Sequence, residues 1–315
     1  MKLINAIARY INYRQALGEI FRTNGTILKA FAKALGLHQP LVNLPPTQVH
    51  RFIKGTGPLT ANWHAKYQAL RGFYLYALSR GYVKTSPLPT TVPKRPPPFV
   101  PYIYSRQELR ALIKGSLVYQ KNRSRIDPHT VRTLLLLLYG AGLRVREAIS
   151  LSLADVDLPR SLLTIRQTKF RKTRLVPLSH SLTHILKTHA ALRQRQSRSL
   201  NLDRPFFLNR DGKILNQYTI EDIFRRIREK VGVRRIDGAR YQPRLHDLRH
   251  SFAVHRLVAW YKQGADVQKW LPVLSTYLGH TYLAATSVYL TMTPTLLDQA
   301  SRRFQHYAFP EESHD

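Results

Sequence analysis

No cysteine occurs in the 315-residue chain, which excludes disulfides, zinc sites with thiolate ligands and a cysteine nucleophile, and fits a reducing cytoplasm. Carboxylates are scarce: 18 Asp and Glu stand against 50 Lys and Arg. A catalytic metal centre needs a cluster of ligands. The best acidic pair, Asp155 and Asp157, would share one face of a strand without a third partner. His246 and His250, four apart on a helix, could face a zinc ion but also lack a third ligand at suitable spacing. No metal and no cofactor are expected. Long apolar runs are missing too. The longest, TLLLLLYGAGL at 133–143, falls short of the ~20 residues that span a bilayer. Arg9 interrupts the opening MKLINAIARYINYR, which makes it a poor signal peptide. No internal repeat is visible. A soluble, cytoplasmic protein with no membrane partner is expected.

The excess of basic residues gives a formal charge of +32 and a pI near 10.8. That is far beyond the ~2–8 charges that solubility asks of a small domain. Such a field favours a polyanion, and nucleic acid leads because each neutralised phosphate releases counterions. An apolar content of 43% suits a folded chain with a core. At ~150 residues per domain, the length suggests two domains.

Helical spacing dominates the first third. Leu3, Ile4, Ile7, Ala8 and Ile11 repeat on one face, and residues 63–83 do so through Tyr67, Leu70, Tyr74, Ala77 and Leu78. The other face of the second stretch carries Lys66, Arg71 and Arg80, which are candidate phosphate contacts. SPLPTTVPKRPPPFVP at 86–101 cannot be a helix interior and reads as an extended linker. The predicted organisation is a helical domain over 1–92, a linker at 93–101 and a second domain over 102–315. The second domain opens with SRQELRALIKGSL, where Ser105 and Glu108 have the spacing of a capping box. Helices are predicted over 129–139, 179–197, 217–230 and 246–262. Two β-rich runs within 162–178 flank a basic tip and predict a hairpin. The fold class expected is mainly α with a small antiparallel β-sheet (α+β).

Five segments could carry chemistry in chain order: GAGLRVRE, QTKFRKTRLVPL, RLHDLRH, LGH and the tyrosine at 289. Each alone is weak. Together they resemble the tyrosine recombinase/integrase family, the phage integrases, over roughly 102–300. The family's GLRxxE falls on Gly142, Leu143, Arg144 and Glu147. Its basic hairpin falls on Thr168 to Leu178 and supplies Lys169. HDLRHSFA begins at His246 and supplies Arg249, and LGH supplies His280. The family's tyrosine, nine residues on, is Tyr289. The 31 residues from Arg249 to His280 exceed the compact members' spacing, and the stretch before residue 40 departs from the family pattern.

The resemblance implies a helical core-binding domain followed by a catalytic domain. It also implies a site-specific recombinase or integrase that cuts and rejoins DNA through a 3′-phosphotyrosyl intermediate. Paired half-sites in double-stranded DNA, four protomers and a Holliday junction would follow. The C-terminal segment 294–308 would dock into a neighbour, and a setting in a mobile element would suit the family. In this reading Arg144 and Arg249 clamp the phosphate with bidentate, permanently charged forks. Lys169 protonates the leaving 5′-oxygen, His280 bonds the scissile phosphate and Glu147 orients the set. Tyr289, with an ordinary pKa of ~10, needs a proton acceptor and cations that favour its phenolate. His246 is the expected acceptor. His250 is expected to pack or cap, and Tyr282 to pack. Arg171, Lys172 and Arg174 beside Lys169 are expected to meet the DNA backbone. Two rival readings stand beside this one: a type IB topoisomerase-like relaxing enzyme, and a catalytically silent DNA-binding regulator. A metal-dependent nuclease or transposase is more distant.

Overall fold

The computed structural model describes residues 1–315 apart from 58, 97–98, 120–123, 167–172, 197–200, 240, 292–297, 299–300 and 302–315. The chain divides into two compact units, Met1–Phe99 and Val100–Asp315.

In the first unit, the described helices are α1 (Leu3–Ala16), α2 (Arg22–Leu35), α3 (Pro46–Lys54) and α4 (Ala61–Ser79). The apolar stripes of α1, α2 and α4 meet in one core, with Leu3, Ile7, Leu28, Phe31, Leu70 and Phe73 at no exposure. Each such side chain contributes about 1.5–3 kcal/mol through burial. α4 stops two residues short of Gly81, which takes a positive φ of 67° that a β-carbon would oppose. No helix or strand follows among the described residues up to Phe99.

The second unit begins with α5 (Arg106–Val118). Its capping box is formed: the Glu108 N–H donates to Ser105 Oγ at 3.1 Å, and the Ser105 N–H donates to Glu108 Oε2 at 2.7 Å. α6 (Pro128–Gly140) is the apolar helix read from 129–139, and it lies at the centre, against α5, α8 and α10. After α7 (Val145–Ile149) come β1 (Val156–Asp157), β2 (Leu162–Ile165) and β3 (Arg174–Pro177). These form an antiparallel sheet of order β1-β2-β3, with Leu163 opposite Val176 and Ile165 opposite Arg174. Leu163, Ile165 and Val176 are buried, so one sheet face joins the core. The helices α8 (His180–Gln196), α9 (Gln217–Lys230) and α10 (Asp247–Lys262) lie close to their predicted spans.

The long interval between Arg249 and His280 holds the rest of α10, a turn through Gly264 and an additional helix, α11 (Val267–Leu278), capped by Asp266. A short helix, α12 (Ala284–Ser287), and a 3-10 turn (Val288–Thr291) then deliver Tyr289. No helix among the described residues is long and apolar enough to cross a membrane.

Candidate active site

Three segments converge on one guanidinium. Arg249, on the first turn of α10, is 2% exposed and donates from Nη1 to the Gly142 carbonyl and from Nη2 to the Leu278 carbonyl, both at 2.7 Å. It therefore ties the end of α6 to the C-terminus of α11. Glycine is required at the first of these places. Gly142 has φ +60°, and a β-carbon there would lie 2.5 Å from Phe252 Cδ1. Gly279, the left-handed cap of α11, accepts from Arg144 Nη2 at 3.0 Å through its carbonyl. Arg144 stands one residue before α7 and keeps 35% of its side chain exposed, so it offers a cationic face to an incoming anion. Burial, and then the like charge of Arg144, pull the Arg249 pKa down to about 10, which leaves it cationic at neutral pH.

Glu147 is the anion that holds this frame. Its Oε1 accepts from Arg144 Nη1 at 2.7 Å and from Arg174 Nη1 at 3.0 Å. Its Oε2 accepts from the Arg144 backbone N–H at 2.9 Å and from Arg174 Nη2 at 2.8 Å. Burial alone would raise the carboxyl pKa, but the bonds and charge of Arg174 and Arg144 outweigh it and hold the pKa at about 2. Arg174 also donates from Nε to the Tyr277 carbonyl at 2.9 Å, which fastens β3 to α11.

The tyrosine enters the same pocket of its own chain. Tyr289 is 2% exposed, and its hydroxyl lies 3.0 Å from His250 Nδ1. The His280 ring is 6.1 Å away, with its Nδ1 on Thr286 Oγ1 at 2.6 Å. His246 packs edge-on against His250, ring centroids 5.0 Å apart. All three histidines have pKa values lowered to about 4, first by burial and then by positive neighbours. For His250 and His280 the leading neighbour is Arg249; for His246 it is the titratable ring of His250, then Arg249. They are neutral at pH 7 and able to accept a proton. The phenol of Tyr289 is displaced the other way. Burial raises its pKa by more than Arg249 and Arg144 lower it, so the pocket favours the phenol over the phenolate.

The geometry differs from several expectations. His250, read as packing, is the histidine that reaches Tyr289, whereas His246, the expected acceptor, sits one ring further back. Arg174, read as a DNA-backbone contact, has a side chain only 10% exposed and engaged with Glu147. Lys66 donates to the Phe52 carbonyl at 2.7 Å with its ammonium over the Phe52 ring, so it too is engaged internally. Arg71 and Arg80 are exposed. Tyr282, expected to pack, is 73% exposed. Lys169, Arg171 and Lys172 lie outside the described residues, as does all of 294–308 except 298 and 301. Asp155 is occupied by Ser152 and Arg166, and no group of three or more potential metal-binding side chains occurs among the described residues. The signal that could have found His250 was present: it lies one helical turn from His246 and next to Arg249.

Two cationic forks braced by backbone carbonyls, a buried tyrosine and a neutral histidine on its hydroxyl suit attack on a phosphodiester. Comparison with known proteins agrees. Residues 105–295 match the family model described as the phage integrase family. The y4rB protein of Sinorhizobium fredii, which carries an integrase/recombinase name, is 33% identical over 303 residues, covering 95% of this chain and 96% of its own. Tyrosine recombinase XerC of Thermodesulfovibrio yellowstonii is 29% identical over 227 residues, or 71% of this chain and 69% of its own. In fold, the chain is similar to a Tn1549 transposon integrase solved with transposon right-end DNA (TM-score 0.69, 13% identity, 98% and 100% of the two chains). It is also similar to a lambda integrase dimer bound to a core site (TM-score 0.65, 16% identity, 93% and 97%). The chain belongs to the phage integrase family and is a tyrosine recombinase, an enzyme that breaks and rejoins DNA strands with a tyrosine nucleophile.

Proposed function

We propose that this enzyme is a site-specific recombinase in which Tyr289 attacks the scissile phosphate, forming a 3′-phosphotyrosyl bond and expelling a 5′-hydroxyl. The observation that carries the assignment is the 3.0 Å contact between the Tyr289 hydroxyl and His250 Nδ1, inside a pocket whose cations are Arg249 and Arg144. His250 accepts the phenolic proton as the O–P bond forms, and His246 supports it from behind. Arg144 and Arg249 take the charge that grows on the nonbridging oxygens. His280 hydrogen-bonds the same phosphate, and Lys169 delivers a proton to the leaving oxygen. Glu147, with Arg174, positions Arg144. Energy stored in the phosphotyrosine is returned on religation, so no nucleotide is consumed.

The family's wider cycle extends the proposal. Two half-sites in duplex DNA are paired by four protomers, strands are exchanged through a Holliday junction, and segment 294–308 links neighbours. Arg71, Arg80, Arg171 and Lys172 meet phosphates. The reaction takes place on DNA in the cytoplasm and serves the movement of a genetic element. Tyr289→Phe should still bind its duplex but leave no covalent adduct on a nicked suicide substrate. An adduct of undiminished yield in that variant would overturn the assignment.

A further inference from the structure

Away from these residues, a cavity of about 130 Å³ lies between the N-terminus of α6 and α8. Its lining includes Asp127, His129, Thr130, His189 and Arg193. Arg193 is 6% exposed, and its Nε and Nη2 meet no acceptor among the described residues. The charged neighbour that acts on it is Arg204, of like sign, which adds to burial in lowering its pKa. A buried guanidinium with two free nitrogens is costly unless something pairs with it.

His189 is 7% exposed and packs against Phe206 and Phe207, with ring centroids at 5.4 and 5.0 Å. Its Nε2 is buried without a hydrogen-bond partner, and the Phe206 backbone favours a proton on the ring. The tautomer with its proton on Nδ1 leaves Nε2 as an acceptor aimed into the cavity. Burial lowers its pKa to about 4, so at neutral pH Nε2 is a lone pair that accepts. The one carboxylate of the lining, Asp127, already caps α6 by accepting the His129 N–H at 2.8 Å.

The cavity thus presents two charged donors and one neutral acceptor. We propose that it is a binding site for a phosphate group in a protonated form, either inorganic phosphate or the monoanion of a phosphate monoester terminus. Its oxygens accept from Arg193 Nε and Nη2, and its own O–H donates to His189 Nε2. Sulfate and a DNA phosphodiester carry no proton at neutral pH and leave the His189 lone pair opposed to oxygen. α6 runs from this cavity to Gly140, just before Gly142 and Arg144, so the ligand would brace the helix that leads into the active site.

The test uses the full-length, DNA-free protein at neutral pH and constant ionic strength, with potassium phosphate exchanged against sulfate and chloride. The expected result is a saturable rise in melting temperature with phosphate, larger than with sulfate. Arg193→Gln should weaken the apparent phosphate affinity about tenfold, as loss of a charge-assisted hydrogen bond implies. Glucose 6-phosphate, compared with inorganic phosphate at pH ~6 where about half of the monoester keeps its proton, separates the sources: a saturable rise admits a monoester terminus, and none restricts the site to inorganic phosphate. Because Arg193→Gln could fold poorly, the wild-type protein is also read by NMR, where the Arg193 Nε–H resonance should shift saturably with phosphate and not with sulfate. A cavity that holds only water gives no such shift. That result, an equal response to sulfate, or an unchanged response in a folded Arg193→Gln would overturn the proposal.

Discussion

Glu147→Gln removes one negative charge from between two guanidiniums while nearly keeping the side chain's shape. The carboxylate accepts four hydrogen bonds, two from Arg174 and two from Arg144, with 10% of its surface exposed. A glutamine amide accepts at one oxygen only, and its NH₂ must face a donor. Two routes give the cost. Breaking a buried ion pair by removing one partner is worth about 3–5 kcal/mol. The displacement of the Glu147 pKa from 4.5 to about 2 corresponds to about 3 kcal/mol of preference for the charged form in the folded state. Their agreement sets the expected loss at about 3 kcal/mol. The sign of the pH dependence is also fixed. The folded-state pKa lies below the unfolded one, so this stability is fully present above pH 4.5 and is lost as pH falls toward about 2. Urea unfolding of full-length wild type and variant, repeated across that window, is the assay. The gap should be near its full size at neutral pH and close as the wild-type carboxylate protonates. A neutral-pH difference below about 0.5 kcal/mol, the range of an ordinary surface change, would refute the reasoning. So would a gap undiminished at the acid end, which would mean that shape rather than charge matters.

The remaining predictions concern the pocket that Glu147 frames. His250→Asn should slow covalent adduct formation on a suicide substrate by about 10²-fold or more, the usual worth of a positioned general base, and His246→Asn by less; the reverse order would return the base role to His246. Gly142→Ala should destabilise the protein by about 2–4 kcal/mol, combining left-handed backbone strain with overpacking against Phe252, and a melting temperature equal to wild type would contradict the contact. His246, His250 and His280 have folded-state pKa values of about 4 against 6.5 in the unfolded chain, so unfolding takes up protons between those limits. Stability should therefore be complete above pH 6.5 and decline as pH falls toward about 4, and a flat melting temperature across that window would show the histidines to be solvated.

Much of this was legible in the sequence because it depends on period and order. The stripes of α4, α6, α9 and α10 repeat at helical spacing, and their ends fall where Gly or a cap stands. The converging residues were also readable, since their order along the chain carries the signal. What was not legible is which of several equivalent charges faces inward. Arg171, Lys172 and Arg174 read as one basic tip, yet Arg174 begins β3 opposite Ile165, where strand pairing brings it to Glu147. His246 and His250 share a helix face by spacing, and only the approach of the 3-10 turn at 288–291 decides which one meets Tyr289. Tyr282 looked apolar enough to pack, but nothing in its immediate sequence shows that the chain covers Tyr289 and leaves 282 outside. These are choices made by tertiary contact, and local pattern does not encode them.

The same geometry explains why a pocket this cationic does not hold a preformed phenolate. Burial, and then Arg249, lower the pKa values of His250 and His280, and burial raises that of Tyr289, so the imidazoles stand at about 4 and the phenol above its ordinary value. Proton transfer from Tyr289 to His250 is therefore uphill in this arrangement. In the proposed reaction, a phosphate between Arg144 and Arg249 would alter both sides of that balance. Its charge would relieve the guanidinium field on His250, and bond formation to phosphorus would make the phenolic proton acidic as it leaves. The guanidiniums cannot express their full electrostatic value on a neutral phenol; they express it when negative charge gathers on the nonbridging oxygens. Bracing Arg249 on two carbonyls and Arg144 on Glu147 and Gly279 holds those charges in place beforehand, so little reorganisation is left for the reaction itself.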